Sequence, residues 1–330
     1  MFTLEVLFKK ASLHVEEVRS LFGLELRELR SKALLVARNR ELSFFAPIYV
    51  SSACQSTCGY CAFRKGNKIK RRTLTLEEAR QEVAFLKGQG YDSVYCLSGS
   101  FPEGSLSKKG SMTEVNARGI RAIREAGLFP VLESSPFSLE NFAALLSVAE
   151  GEGRFVLFQE CYDRETYLGT HEGDIYKGDP DSRLQQLDLA LESGWPEVGI
   201  GVLIGLHHDV VSEVACLIAH HDYLKGRGAR RVTISAPRIN DATGIEIRDK
   251  SSDEMFLKSN YIIKILRPEA PIVLTGRESE QIRDLLRPVT DIWGVRGSTV
   301  PGGYTLKGQP KDGQFLLYDR RSIAEITTTD

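Results

Sequence analysis

From residue 44 to residue 297 the chain alternates short apolar runs with amphipathic stretches. The runs at 44–52, 92–98, 128–134, 154–159, 197–205, 231–236, 270–276 and 290–297 are rich in β-branched and aromatic residues, and each predicts a strand. Between them, residues 75–89, 113–126, 138–149, 181–193, 209–226, 251–266 and 277–287 carry apolar positions at helical spacing. A further helical pattern over 12–38 precedes the first strand. Strands separated by helices pair in parallel through right-handed crossovers, and eight such units suit a closed (β/α)8 TIM barrel. An open doubly wound sheet has no reason to stop at eight. The pattern therefore predicts an α/β protein with a helical extension over 1–39, a barrel over 40–300 and a short C-terminal tail over 301–330 at the barrel mouth. Functional groups in such a barrel sit at the C-terminal ends of the strands.

Composition narrows this picture little. A chain of 330 residues, 42% hydrophobic and 26% charged, has room for one large barrel. Its net charge of −1 gives no global attraction to nucleic acid or membrane. The first ten residues are too short and too charged for a secretory signal, and no apolar run approaches the roughly 20 residues of a membrane span. A soluble cytoplasmic protein is the expectation.

The cysteines change the picture more. Six in a chain of this length do not make a disulfide scaffold, and Cys96 and Cys216 stand in apolar surroundings that suit core thiols. Cys54, Cys58 and Cys61 instead form C-x3-C-x2-C directly after the first strand. Structural zinc asks for four ligands, yet no second pair follows and the next histidine is His171. A C-x-x-C redox pair leaves Cys54 unexplained. Three thiolates can hold three irons of a 4Fe–4S cluster and leave the fourth open to S-adenosylmethionine (SAM), whose reductive cleavage yields a 5′-deoxyadenosyl radical. An iron–sulfur electron carrier is the non-enzyme alternative, and it predicts no SAM binding.

The same loop carries a resemblance. C-x3-C-x2-C with Tyr60 before the last cysteine resembles the radical SAM signature. The longer string PIYVSSACQSTCGYCAFRKGNKIKRRTL resembles the radical SAM aromatic amino acid lyases, the group of the tyrosine lyases (2-iminoacetate synthase among them) and tryptophan lyase. Further matching stretches are FQECYDRETYLGTH, RLQQLDLALESGWPEVGIGVLIGL, ISAPRI, LTGRES and GSTVPGGY…GQFLLYDRRS, so the resemblance covers roughly residues 40–322. It implies fragmentation of the Cα–Cβ bond of an aromatic L-amino acid, tyrosine giving 2-iminoacetate and p-cresol. Tryptophan-type substrates, or another radical SAM reaction such as methylornithine-type rearrangement, are the alternatives. Implied partners are a reduced flavodoxin- or ferredoxin-type electron donor and an enzyme that accepts the product.

Residue by residue, the resemblance places Tyr60, Ser98, Gly99, Ser100, Glu160 and Arg183 around SAM. Ser100 stands where the family usually has an acid, and Arg183 pairs with the SAM carboxylate. Glu160 in so apolar a run needs a partner to be buried. His171 and Lys177 match family positions in the connecting segment. Tyr49, Arg238, Arg277 and Gly294 fall to the substrate, with Tyr49 at its amino acid head and Arg277 as the two-pronged partner of its carboxylate. Gly294 replaces a serine of the family and removes a hydroxyl. The basic run Asn67, Lys68, Lys70, Arg71 and Arg72 can receive an acidic electron donor; without interleaved aromatics it does not suit nucleic acid.

Overall fold

The computed structural model describes residues 2–37, 41–103, 110–247, 250–308 and 312–328. Strands β1 (Ser43–Ser51), β2 (Ser93–Ser98), β3 (Phe129–Glu133), β4 (Arg154–Glu160), β5 (Glu197–Val202), β6 (Arg231–Ser235), β7 (Val273–Leu274) and β8 (Ile292–Gly294) form one parallel sheet in the order β6-β5-β4-β3-β2-β1-β8-β7. Among the described residues the two ends of that order meet through a single bridge, Ile234 to Ile272, and the sheet becomes the expected barrel.

Helices α1 (Leu4–Phe22) and α2 (Leu26–Val36) precede the barrel. Around it run α3 (Leu76–Gly88), α4 (Met112–Glu125), α5 (Leu139–Val148), α6 (Arg164–Thr170), α7 (Pro180–Glu192), α8 (Val210–Gly226), α9 (Asp253–Leu266) and α10 (Glu280–Leu286), and α11 (Ile323–Thr327) ends the described chain. The helical pattern over 12–38 is thus two helices, and the first begins at Leu4. They part at Gly23, whose amide closes α1 on the Arg19 and Leu21 carbonyls. No helix among the described residues is long and apolar enough to cross a membrane.

Alternation along the strands separates two cores. On β1, Phe45, Pro47 and Tyr49 face the barrel interior while Phe44, Ala46, Ile48 and Val50 pack under the helices. On β2, Tyr95 and Leu97 face in and Val94 and Cys96 face out. A Cβ on Gly119 of α4 would lie 2.4 Å from the Cys96 sulfur, so α4 rests on β2 because that position has no side chain. Cys96, Cys161 and Cys216 are all buried thiols.

The tail is tied over the barrel mouth. Glu82 of α3 is buried and accepts from the Tyr304 and Thr305 amides (2.9 and 2.7 Å), and the Tyr304 hydroxyl donates to the Pro47 carbonyl at 2.8 Å.

Candidate active site

Residues 52–72 leave β1 with almost no regular structure, so their backbone groups find partners on surrounding elements. The Gln55 amide donates to the Ser100 carbonyl (2.7 Å), Gly59 to Thr170 (2.9 Å) and Ala62 to Gln314 (3.1 Å). The Thr57 amide donates to Asp174 Oδ2 at 2.7 Å. Arg71 turns inward and donates to the Ser52, Phe63 and Arg64 carbonyls at 2.7, 2.7 and 2.9 Å. A Cβ on Gly99 would lie 2.2 Å from the Ala53 oxygen and 2.6 Å from the Cys54 Cβ, so glycine is required for the β2 end to approach the loop.

These ties bury Cys58 and Cys61 and leave Cys54 partly exposed. Burial pushes the Cys58 thiol up and the Cys61 thiol up to about 12, and for Cys61 the neighbouring Cys58 and Cys54 add to it. Thiols that oppose one another's ionisation are close neighbours, and they are held as thiolates by a cationic centre between them. Among the described residues no three His, Cys, Asp or Glu side chains converge on one ion. A four-iron cube spreads its ligands wider than a single ion does. Gln314 Nε2 also donates to the Cys61 sulfur at 3.6 Å. The donor set fits a 4Fe–4S cluster held on Cys54, Cys58 and Cys61.

Beside the thiols lies a polar chamber lined by Tyr60, Ser98, Ser100, Glu160, Lys177 and Arg183 among others. Glu160 ends β4 at a register shift with φ of 74°, a left-handed conformation that costs a non-glycine residue energy. Burial alone would raise its pKa; Lys177 and Arg183, each 3.5 Å from Oε1, outweigh that and hold the carboxyl below its ordinary value. Arg183 also donates to the Phe158 carbonyl (2.8 Å) and the Ser135 hydroxyl (3.0 Å). His171 has its Nδ1 2.9 Å from the Tyr167 carbonyl, an obligate acceptor, so Nδ1 carries the proton and Nε2 accepts from the Tyr60 hydroxyl at 3.0 Å. Burial lowers the His171 pKa to about 4, which keeps the ring neutral. The Ser100 hydroxyl donates to the Ser135 carbonyl (2.7 Å) and keeps its lone pairs for an incoming donor.

A second, apolar chamber fills the barrel interior against Phe45, Tyr95, Val156, Phe158, Ile200 and Val273. The chambers share Tyr49, Leu97, Glu133, Phe158, Arg277 and Phe315. The Arg277 guanidinium stacks 3.6 Å from the Phe315 ring centre, and its Nε is buried without a hydrogen-bond partner among the described residues. The Tyr49 hydroxyl donates to Gln314 Oε1 at 2.6 Å, and burial keeps it protonated by raising its pKa.

Comparison with known proteins agrees with this arrangement. The radical SAM superfamily profile matches residues 48–217, a little over half the chain. The chain belongs to the radical SAM superfamily. The 2-iminoacetate synthase of Escherichia coli (strain K12) is 28% identical over 303 residues, covering 90% of this chain and 78% of that protein. The crystal structure of HydG, a hydrogenase maturase, superposes with a TM-score of 0.85 at 30% identity, covering 99% of this chain and 73% of that one. The 3-methylornithine synthase of Methanosarcina acetivorans is 25% identical, covering 94% of this chain and 86% of that protein. This is a radical SAM enzyme related to the 2-iminoacetate synthases and to HydG, using a 4Fe–4S cluster and SAM.

The geometry revises several residues singled out in this radical SAM enzyme's sequence. Arg238 does not reach either chamber. It turns to Glu278 and Asp253 and to the Ser251 carbonyl, because the buried Glu278 after β7 and Asp253 at the start of α9 supply it with acidic partners. Gly99 lines neither chamber and instead permits the close approach of Cys54. Ser98 lines the polar chamber, but its hydroxyl is engaged with Ser134 (3.0 Å) and the Asn116 amide (2.9 Å). Within the basic run, Arg71 is a loop brace and Arg72 pairs with Glu78 at 2.7 Å, while Lys68 and Lys70 are exposed.

Gly294 lines the apolar chamber, and the space a serine would take there holds Phe45, whose Cζ lies 2.9 Å from a built Cβ. Gly294→Ser alone should therefore overpack the wall and destabilise the protein by about 1–3 kcal/mol. Chemical denaturation measures this, and pairing it with Phe45→Leu should recover most of the loss.

Three residues of the site are not singled out one by one in the sequence: Glu133, and Gln314 and Phe315 within the matching stretch GQFLLYDRRS. Glu133 ends an apolar run just as Glu160 does, which is the one local signal; the other two lie in the tail and meet the site only through its path over the mouth.

Proposed function

We propose that this radical SAM enzyme fragments the Cα–Cβ bond of L-tyrosine, giving 2-iminoacetate and p-cresol. The observation that carries the reading is Arg277, a guanidinium with no ion pair among the described residues, at the border of a polar chamber and an apolar, aromatic-lined one. A free amino acid matches that border, with its carboxylate on Arg277 and its ring among Phe45, Tyr95, Val156 and Ile200. When bound, the cluster and SAM supply a 5′-deoxyadenosyl radical. The chain's own part is to hold the amino acid head beside the SAM chamber, with Tyr49 and Arg277 fixed by Gln314 and Phe315. The likeness to 2-iminoacetate synthase supports the same substrate.

A methylornithine-type substrate has a second ammonium on its side chain and needs an anion deep in the apolar chamber. Among the described residues, Glu133, at the head-group border, is the sole carboxylate on that chamber's lining, which favours the aromatic substrate. The exposed Lys68 and Lys70 near the cluster loop suit an acidic electron donor. The reconstituted, reduced protein incubated anaerobically with SAM and tyrosine should release 5′-deoxyadenosine together with p-cresol. Turnover of tryptophan or a basic amino acid in place of tyrosine would refute the assignment.

A further inference from the structure

Glu133 ends β3, lines both chambers, and has no hydrogen bond or ion pair among the described residues. Its neighbour Glu160 on the adjacent strand differs, being paired with Lys177 and Arg183. Arg277, on the same border, is a cation with no ion pair among the described residues. A free α-amino acid carries one anion and one cation on a single carbon, and the border presents one unpaired group of each opposite sign. An unpaired charge screened from bulk water is costly to the fold, and a ligand that neutralises both groups removes that cost.

We propose that Glu133 receives the ammonium of the amino acid substrate and takes a proton from it, so that the radical meets a neutral amine. The inference rests on the amino acid substrate proposed above. In the step, an N–H bond of the ammonium breaks, its proton bonds to a Glu133 oxygen, and the nitrogen keeps the electron pair. The carboxylate becomes a carboxylic acid, and nothing is oxidised or reduced. A nitrogen lone pair then stabilises the radical left when a hydrogen atom is removed, which an ammonium cannot do.

The groups that face Glu133 are Tyr49, Tyr95, Glu160, Lys177, Arg183 and Arg277. Burial and then Glu160 raise its pKa, Arg277, Lys177 and Arg183 pull it back, and it settles at about 7. A base poised near neutrality suits proton transfer at physiological pH. Because the carboxylate is the active form, kcat/KM should fall as pH drops through about 7.

The test compares wild type, Glu133→Gln and Glu133→Asp in the reconstituted enzyme. Glu133→Gln should lose the acidic limb of the pH profile and about 100-fold or more in kcat for p-cresol release. Glu133→Asp, which keeps a carboxylate, should retain the limb. By calorimetry, Glu133→Gln should bind tyrosine at least about 10-fold more weakly while binding 3-(4-hydroxyphenyl)propanoate, which lacks the amine, as wild type does. An unchanged pH profile in Glu133→Gln, or equal weakening toward both ligands, overturns the proposal. Absence of p-cresol with wild type overturns the tyrosine reading itself, whatever the variants do.

Discussion

Cys58→Ala should yield a folded, colourless protein that makes no 5′-deoxyadenosine, whereas Cys216→Ala keeps both the brown chromophore and turnover. Both thiols are buried, so exposure does not separate them. What separates them is company. Cys58 raises the pKa of Cys61 and lies among Lys177, Glu160 and Asp174, whereas Cys216 is packed in the apolar interior of α8. Removing one of three cluster ligands should cost more than the 10- to 100-fold typical of outer-shell changes, taking activity to background. Iron content, the visible spectrum and thermal unfolding by circular dichroism check this together. A full complement of iron in Cys58→Ala would sink the ligand assignment.

Arg277→Lys should raise KM for the amino acid by roughly 30-fold or more, the equivalent of about 2–5 kcal/mol, while SAM cleavage continues without product. The size follows from geometry. A guanidinium stacked 3.6 Å over Phe315 presents a flat, preset pair of donors, and lysine offers a point charge that neither stacks nor binds in bidentate fashion. A tyrosine Kd measured by calorimetry and the ratio of 5′-deoxyadenosine to p-cresol read the two halves of the prediction. Unchanged KM would place the substrate carboxylate elsewhere.

How much of this was legible in the sequence depended on whether a feature is local. The eight strands show in the chain because a run such as FFAPIYVSS is apolar on both faces, one packing inward and the other under helices. Even β7 and β8, two and three residues long, kept their surrounding apolar runs. The three cysteines were legible because their chemistry depends on spacing within eight residues. Arg238 shows the limit: a strand-end position fixes where a side chain starts, and Glu278 decided where it went. Gly294 reads as a lost hydroxyl until Phe45, from the opposite end of the barrel sequence, is seen in its place. Glu133 shows only as an acid that ends an apolar run, since being without a partner is a property of the whole fold. The break at Gly23 escaped because helical spacing continues in phase on both sides of it.

The single bridge between Ile234 and Ile272 bears on how the molecule breathes. Backbone pairing is thinnest there, so amide protons along β6 and β7 should exchange with solvent through openings smaller than global unfolding. Arg277 lies just beyond β7, and Ile200 of the same chamber stands on β5, on the other flank of that seam. An amino acid gripped by the first and touching the second spans the slit, and its binding energy adds to the cost of opening it. Occupancy of the chamber would then be written into the exchange rates of the backbone amides on both sides of the seam.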